Sequence, residues 1–247
     1  MRRNLALALA VIGVSVTPAT AQINLVTGNG YKPYTDESLS EGGLATELVK
    51  AAYAAAGEDI RVKFMPWKRA THTVKNGSNL AAFPYLKNEK RSKSFVFSDP
   101  IIIPEVVPFT YGPKNKEISS YEAMKGKKLC LPAGYALSNS KIKDLVKSGQ
   151  IQRVKPRNFT SCFRMLKRGR ADFVNAEMPT GLATAKKVYG TTQEVATGDL
   201  ILNKIKLRLM FSKDLENVSE HVATANKGLQ KIRSSGRHAD IVAKHLQ

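Results

Sequence analysis

After residue 22 the chain alternates short strand-like and helix-like segments, and this alternation is its strongest constraint on fold. Ile23 to Thr27 is apolar and β-branched and runs into Gly28-Asn29-Gly30, as a buried strand does before a turn. Leu44, Leu48, Ala52 and Ala56 recur at helical spacing and stop at Gly57, so a helix is expected over 43–56. Ile60 to Met65 returns to strand. Pro66 then opens a helix carrying Trp67, Ala70 and Val74 on one face, ended by Gly77. Leu80 to Phe83 is a third strand. A β-α-β-α-β order needs crossover helices, and hence a sheet with helices on its faces.

The alternation pauses and then restarts. Phe95 to Pro100 leads into an extended run, Ile101 to Tyr111, interrupted by Pro104 and Pro108. Beyond Tyr111-Gly112-Pro113, helices are expected over 119–124, 139–147, 160–167 and 181–189. Strands are expected over 128–131, 151–154 and 171–175. Leu207 to Phe211 reads as a strand returning toward the first unit, and 218–246 as helix broken at Ser234-Ser235-Gly236. The fold class is therefore α/β: two βα lobes, each with a central mixed sheet, joined by a two-strand hinge. The expected division is 22–111 with 211–247 in lobe 1, and 112–210 in lobe 2. In such an arrangement the natural ligand site lies between the lobes, at strand carboxyl ends.

The first 21 residues are read apart from the fold. Arg2 and Arg3 precede an apolar stretch from Leu5 to Val16, Pro18 breaks it, and Ala19-Thr20-Ala21 supplies a small-x-small site. This is the pattern of a cleavable signal peptide, with cleavage expected after Ala21 and a periplasmic mature protein of about 226 residues. The stretch is short for a bilayer span, and no later segment reaches the roughly 20 apolar residues a membrane helix needs. In an oxidising compartment Cys130 and Cys162 read first as one disulfide, with a reactive thiol as the alternative. The four histidines show no ligand spacing with the cysteines, so neither a metal nor any other cofactor is expected.

Lys and Arg number 39 against 20 Asp and Glu, a formal charge of +19, which falls to +17 without Arg2 and Arg3. The basic residues are spread over every segment, with no basic run and no interleaved aromatic stripe. That distribution argues against nucleic acid as a partner and for a general positive field.

Several motifs carry a family resemblance when taken in order. They are Tyr31-Lys32-Pro33-Tyr34 after the first strand, Pro66-Trp67-Lys68-Arg69-Ala70 opening the second helix, and Asn88-Glu89-Lys90-Arg91. Phe97-Ser98-Asp99-Pro100, Lys125-Gly126-Lys127-Lys128-Leu129 and Gly169-Arg170-Ala171-Asp172, ending at Glu177, follow. In this ordered set the chain resembles the bacterial extracellular solute-binding proteins of family 3, the polar amino-acid type with the type II periplasmic binding fold. The resemblance implies a monomer that captures a small polar solute, an amino acid or related amine or carboxylate, by lobe closure. It also implies delivery to the membrane permease of an ABC transporter.

The site implied is Arg91 in lobe 1 clasping a carboxylate, with Glu177 at the end of a lobe 2 strand neutralising an ammonium group. Tyr31, Tyr34, Trp67, Tyr85 and Tyr135 would wall the pocket, Pro84 would offer its carbonyl, and Ser138 would sit at a helix N-terminus facing an anion. The chain departs from the family at Asn88, at Pro84 (commonly glycine), at Tyr135 and at Glu177 (normally aspartate). Each of the carboxylic acids and aromatics also has a structural reading; Glu177 in particular could serve only the dipole of the helix that follows it. No catalytic residue is assigned, since no Ser-His-Asp, Cys-His or metal constellation occurs. Two rival functions remain open: a cyclohexadienyl dehydratase-like enzyme on the same scaffold, with Glu177 as general acid, and a ligand-sensing module for a partner protein.

Overall fold

The computed structural model describes residues 22–112, 118–133, 135, 137 and 139–246. The expected signal peptide, Gly134 and Ser138 lie outside them. The first sheet is built from β1 (Ile23–Thr27), β2 (Ile60–Phe64), β3 (Ala81–Leu86), β4 (Phe95–Ile102) and a late strand, β11 (Leu207–Ser212), in the order β2-β1-β3-β11-β4. β1 runs parallel to β2 and β3, whereas β11 runs antiparallel to β3 and β4. The early β-α-β-α-β reading is thus realised, with α1 (Leu44–Ala56) and α2 (Trp67–Lys75) as the crossovers.

Alternation along the strands decides what each helix covers. Leu25 joins Leu44, Leu48, Ala52, Leu209 and Phe211 in one core, to which α7 (Val218–Ser234) contributes Ala225, Leu229 and Ile232. Val26 points the other way, to Ala70 and Val74 of α2 and to Ala82 and Met210. The α1–α7 crossing is close because Gly228 has no side chain: a Cβ there would lie 2.0 Å from the Ala52 carbonyl oxygen. At Ser234-Ser235-Gly236 the expected break separates α7 from α8 (Arg237–Leu246).

The second sheet holds β5 (Glu105–Tyr111), β6 (Lys128–Cys130), β7 (Gln152–Val154), β8 (Phe173–Glu177) and β10 (Asn203–Lys204), in the order β10-β5-β8-β6-β7, with β9 (Val195–Thr197) also pairing β5. On β8, Val174 and Ala176 face one core with Phe109, Phe163 of α5 (Phe159–Lys167) and Ala185 of α6 (Met178–Tyr189). Phe173 faces the opposite core with Leu129, Ile142 of α4 (Ser140–Lys147) and Leu202. Strand period 2 puts Asn175 and Glu177 on that same side as Phe173.

Cys130 and Cys162 form a disulfide with Cα atoms 5.5 Å apart, which ties β6 to α5. Asn88, Asn139 and Asn158 cap α3 (Glu89–Ser92), α4 and α5, each side chain accepting from a backbone N–H three residues on.

Four expectations change. The extended run 95–111 is two strands in different sheets, because Ile103-Pro104 lies between β4 and β5. The chain therefore passes between sheets before Glu105 and again between Lys204 and Leu207, so the boundaries at 111/112 and 210/211 fall at the end of β5 and inside β11. The segment 119–124 makes only a 3-10 turn, Glu122–Met124. Strand and helix near 171–189 start two residues later and three residues earlier than expected, at Phe173 and Met178. Ser98 and Asp99 lie in β4, where the Ser98 hydroxyl accepts from the Leu209 amide across an irregular stretch of the ladder. Among the described residues no helix is long and apolar enough to cross a membrane, and no cluster of His, Cys, Asp and Glu suits a metal ion.

Candidate functional site

Where the two sheets face each other, Tyr31 and Glu177 meet. Tyr31 follows β1 in a turn closed by its own carbonyl, which accepts from the amides of Tyr34 and Thr35. Glu177 ends β8, at the strand's carboxyl end. The Tyr31 hydroxyl lies 2.8 Å from Oε1 of Glu177 and 3.0 Å from Oε2, and the Thr180 hydroxyl donates to Oε2 at 3.1 Å. Glu177 precedes α6 but makes no side-chain cap to it, so the purely capping role is not what the geometry shows.

The electrostatics of this carboxylate are unusual. Burial raises its pKa above the ordinary 4.5, and hydrogen bonds from Tyr31, Thr180 and Tyr34 lower it without cancelling the burial effect. Among the described residues no Lys, Arg or His forms an ion pair with it. Burial and the nearby Glu177 charge push the Tyr31 and Tyr34 hydroxyls well above the usual phenol range, so both stay protonated donors. The Tyr34 hydroxyl is fully buried without a hydrogen bond of good geometry, while still sensing Glu177 and Thr180. The Glu177 carboxyl is thus surrounded by neutral hydroxyl donors and aromatic rings.

Glu177 lines a cavity with ≈ 560 Å³ of empty space, its open mouth included. Tyr31, Tyr135, Asn175, Thr180, Leu131 and Phe159 are among its walls. Tyr135, 47 % exposed, packs edge-on to Phe159 at 4.9 Å, and Arg153 braces the loop by donating to the Tyr135 carbonyl at 2.8 Å. Outside this cavity the cleft widens into a groove lined by Lys32, Arg157 and Lys187 as well as Tyr31 and Tyr135.

The structure brings three of the expected residues, Tyr31, Tyr135 and Glu177, onto one cavity. Tyr34 stands behind Tyr31, ring centroids 4.8 Å apart, as part of the first lobe's core. Trp67 and Tyr85 continue the aromatic run at 6.3 Å and 5.5 Å, and the Arg91 guanidinium lies 5.0 Å over the Tyr85 ring. Trp67 can lie there because Gly28 is bare: a Cβ at Gly28 would sit 2.2 Å from the indole. Pro84 is in β3 beside Tyr85 and, like Arg91, does not line the cavity. Arg91 spends one donor on the Leu86 carbonyl at 2.8 Å, so the group that meets Glu177 is Tyr31, in place of an arginine opposed across the cleft.

Asn175 and Thr180 were missed by sequence reasoning. Period-2 alternation on β8 was the available signal for Asn175, and a hydroxyl one turn after Glu177 for Thr180.

The sequence matches no protein-family model and no curated protein. Solved structures do match. The second substrate-binding domain of Lactococcus lactis GlnP, in open conformation, superposes with a TM-score of 0.76 at 19% identity, over 93% of this chain and 97% of that one. A protein described as a probable amino-acid ABC transporter extracellular-binding protein, ytmK of Bacillus subtilis, gives 0.76 at 20% identity over 92% and 97%. An ancestral arginine-binding protein bound to arginine gives 0.64 at 24% identity over 92% and 98%. The likeness is one of fold: a two-lobed α/β architecture with a mixed sheet in each lobe. The first sheet with α1, α2, α7 and α8, and the second with α4, α5 and α6, are its two lobes, and the crossovers near 103–104 and 205–206 join them.

Proposed function

We propose that this protein is a solute-binding protein that closes its two lobes around a small molecule carrying a positively charged nitrogen. The observation that carries the reading is the Glu177 carboxylate: largely withdrawn from water, without a cation partner among the described residues, and reached by Tyr31 from the opposite lobe. An ammonium or guanidinium entering here gains a charge-assisted contact and relieves an uncompensated anion, while Tyr31 and Trp67 offer ring faces to it. Arg91 lies outside this cavity, over the Tyr85 ring, so the cationic nitrogen is the feature the site selects, and an amino acid or a related amine is the class proposed. Ligand contacts made by both lobes favour the closed form over open ones, and that differential affinity is the mechanism. In this reading the protein works in the periplasm after loss of residues 1–21, and hands its solute to an ABC-type permease without chemical change. The amino-acid and ABC-transporter descriptions of the matching structures support that assignment.

The test is native mass spectrometry of the purified protein for a co-purified solute, followed by a thermal-shift panel of amino acids, amines and small acids. A stabilising ligand that Glu177→Gln no longer recognises is expected, since ligand binding raises stability by mass action. Stabilisation by neutral or acidic compounds alone, unchanged in Glu177→Gln, would overturn the reading.

A further inference from the structure

The cavity behind Glu177 contains a polar group that the fold itself leaves unused. Asn175 is 7 % exposed, lines the cavity, and its Oδ1 is buried without a hydrogen-bond partner. An unpaired buried amide oxygen costs free energy that a ligand can recover. Asn139, on the same wall, is unlike it: its amide donates to the Tyr121 hydroxyl and the Leu202 carbonyl and accepts from the Ile142 amide, so it is committed to holding α4. The rest of the lining is mainly apolar, with Leu131, Leu137, Ile142 and Phe159 facing the space.

We propose that this cavity is a subsite for the body of the ligand, selecting an amine whose apolar chain or ring ends in a hydrogen-bonding group, such as a hydroxyl, that meets Asn175. The inference rests on the solute-binding reading, and names the ligand class that reading leaves open. β8 sets the spacing. Asn175 and Glu177 are two residues apart on one face of the strand, so their Cα positions differ by roughly 6–7 Å along it. The charged nitrogen binds at Glu177 and the far group binds at Asn175. Between them lies a stretch that aliphatic or aromatic carbon fills without leaving polar atoms unpaired. A compound lacking the far group leaves the Asn175 amide oxygen unsatisfied. One with a charged far group must bury that charge against Leu131 and Ile142.

The experiment is calorimetric titration of the full mature chain with two matched pairs: tyramine against phenethylamine, and 5-aminopentanol against pentylamine. Members of each pair differ only in the terminal hydroxyl. The hydroxylated member is expected to bind at least about ten-fold more tightly in the wild type. In Asn175→Leu that advantage should fall to within about two-fold, with Asn175→Val as the second variant, since a β-branched residue suits the strand. Equal affinities within both pairs in the wild type, which needs no variant to fold, would overturn the inference. So would an advantage that survives in either Asn175 variant. Glu177→Gln separates the two levels. Amines that bind the wild type without discrimination, yet fail to bind Glu177→Gln, overturn the Asn175 subsite and leave the solute-binding reading standing. If neither these amines nor any amino acid binds, both fall.

Discussion

Tyr31 of one lobe donates to both oxygens of Glu177 of the other, at 2.8 and 3.0 Å, and the buried Tyr34 hydroxyl of the same lobe also acts on this carboxylate. The contact joins the two lobes at Glu177, and in the proposed function it stands where an incoming cation would bind. On that proposal a ligand shares or displaces the Tyr31 hydroxyl to reach Glu177.

Tyr31→Phe keeps the ring against Tyr34 and Trp67 and removes only the donor. Glu177 is then left with fewer hydrogen bonds favouring its charged form, and its pKa rises further. Small-angle scattering of the ligand-free variant should show a larger radius of gyration than wild type. Urea unfolding should show a loss of about 1.5–3 kcal/mol, in line with a hydrogen bond to a charged group. An unchanged radius and unchanged stability would mean that the contact neither latches the lobes nor supports the fold.

Glu177 also sets a pH dependence whose sign is fixed by the direction of its shift. Its pKa in the folded protein lies above the ordinary 4.5, so between the two values the native state binds more protons than the unfolded one. Its contribution to stability is full below pH 4.5 and is lost as pH rises through the folded value. A cationic ligand needs the ionised form, so affinity should move the opposite way. It falls about ten-fold per pH unit below the folded pKa and is flat above it. Calorimetry across pH, with Glu177→Gln as the titration-free control, checks both limbs.

The disulfide between Cys130 and Cys162 closes a 32-residue separation and lies wholly inside the second lobe's core. The chain-entropy model gives a stabilisation of about 3–4 kcal/mol for a loop of this length. Cys130→Ser with Cys162→Ser should lower stability by an amount of that order, measured by urea unfolding. The double variant is chosen because a single one leaves a buried thiol.

Much of the fold could be read from the chain because its cues are local. Helical spacing at Leu44, Leu48, Ala52 and Ala56 ends at Gly57, whose φ of 92° suits the residue type, and α1 stops at Ala56. The run 95–111 misled because β4 and β5 are both extended; which sheet each joins depends on partners far away in sequence, β11 for one and β8 for the other. The site divides in the same way. Glu177 stood out as a carboxylate closing an apolar strand, and Tyr31 as an aromatic in a loop at a strand end. That they touch is a non-local fact, as is the retention of Arg91 by its own loop's Leu86 carbonyl. Asn175 looked like one polar residue in a buried strand, and only the cavity beside it gives it meaning.

Trp67 is the sole tryptophan, and so its fluorescence reports on one place, the first lobe's side of the cleft. The indole lies against the Gly28 backbone and donates from Nε1 to the Asn29 carbonyl at 3.2 Å. Gly28→Ala places a methyl 2.2 Å from the ring, so the ring must move and that hydrogen bond must stretch or break. The emission maximum should shift to the red as the ring gains water, and affinity for an amine ligand should drop several-fold as the aromatic wall is displaced. Gly228→Ala is the matched control, because its methyl also meets fixed atoms, the Ala52 carbonyl at 2.0 Å, but in the α1–α7 crossing away from the cleft. It should lower stability by about 1–3 kcal/mol through overpacking and leave the emission maximum and the affinity as they are. If the two variants shifted emission alike, the effect at Gly28 would be general loosening of the lobe and Trp67 would have no separate part in the site.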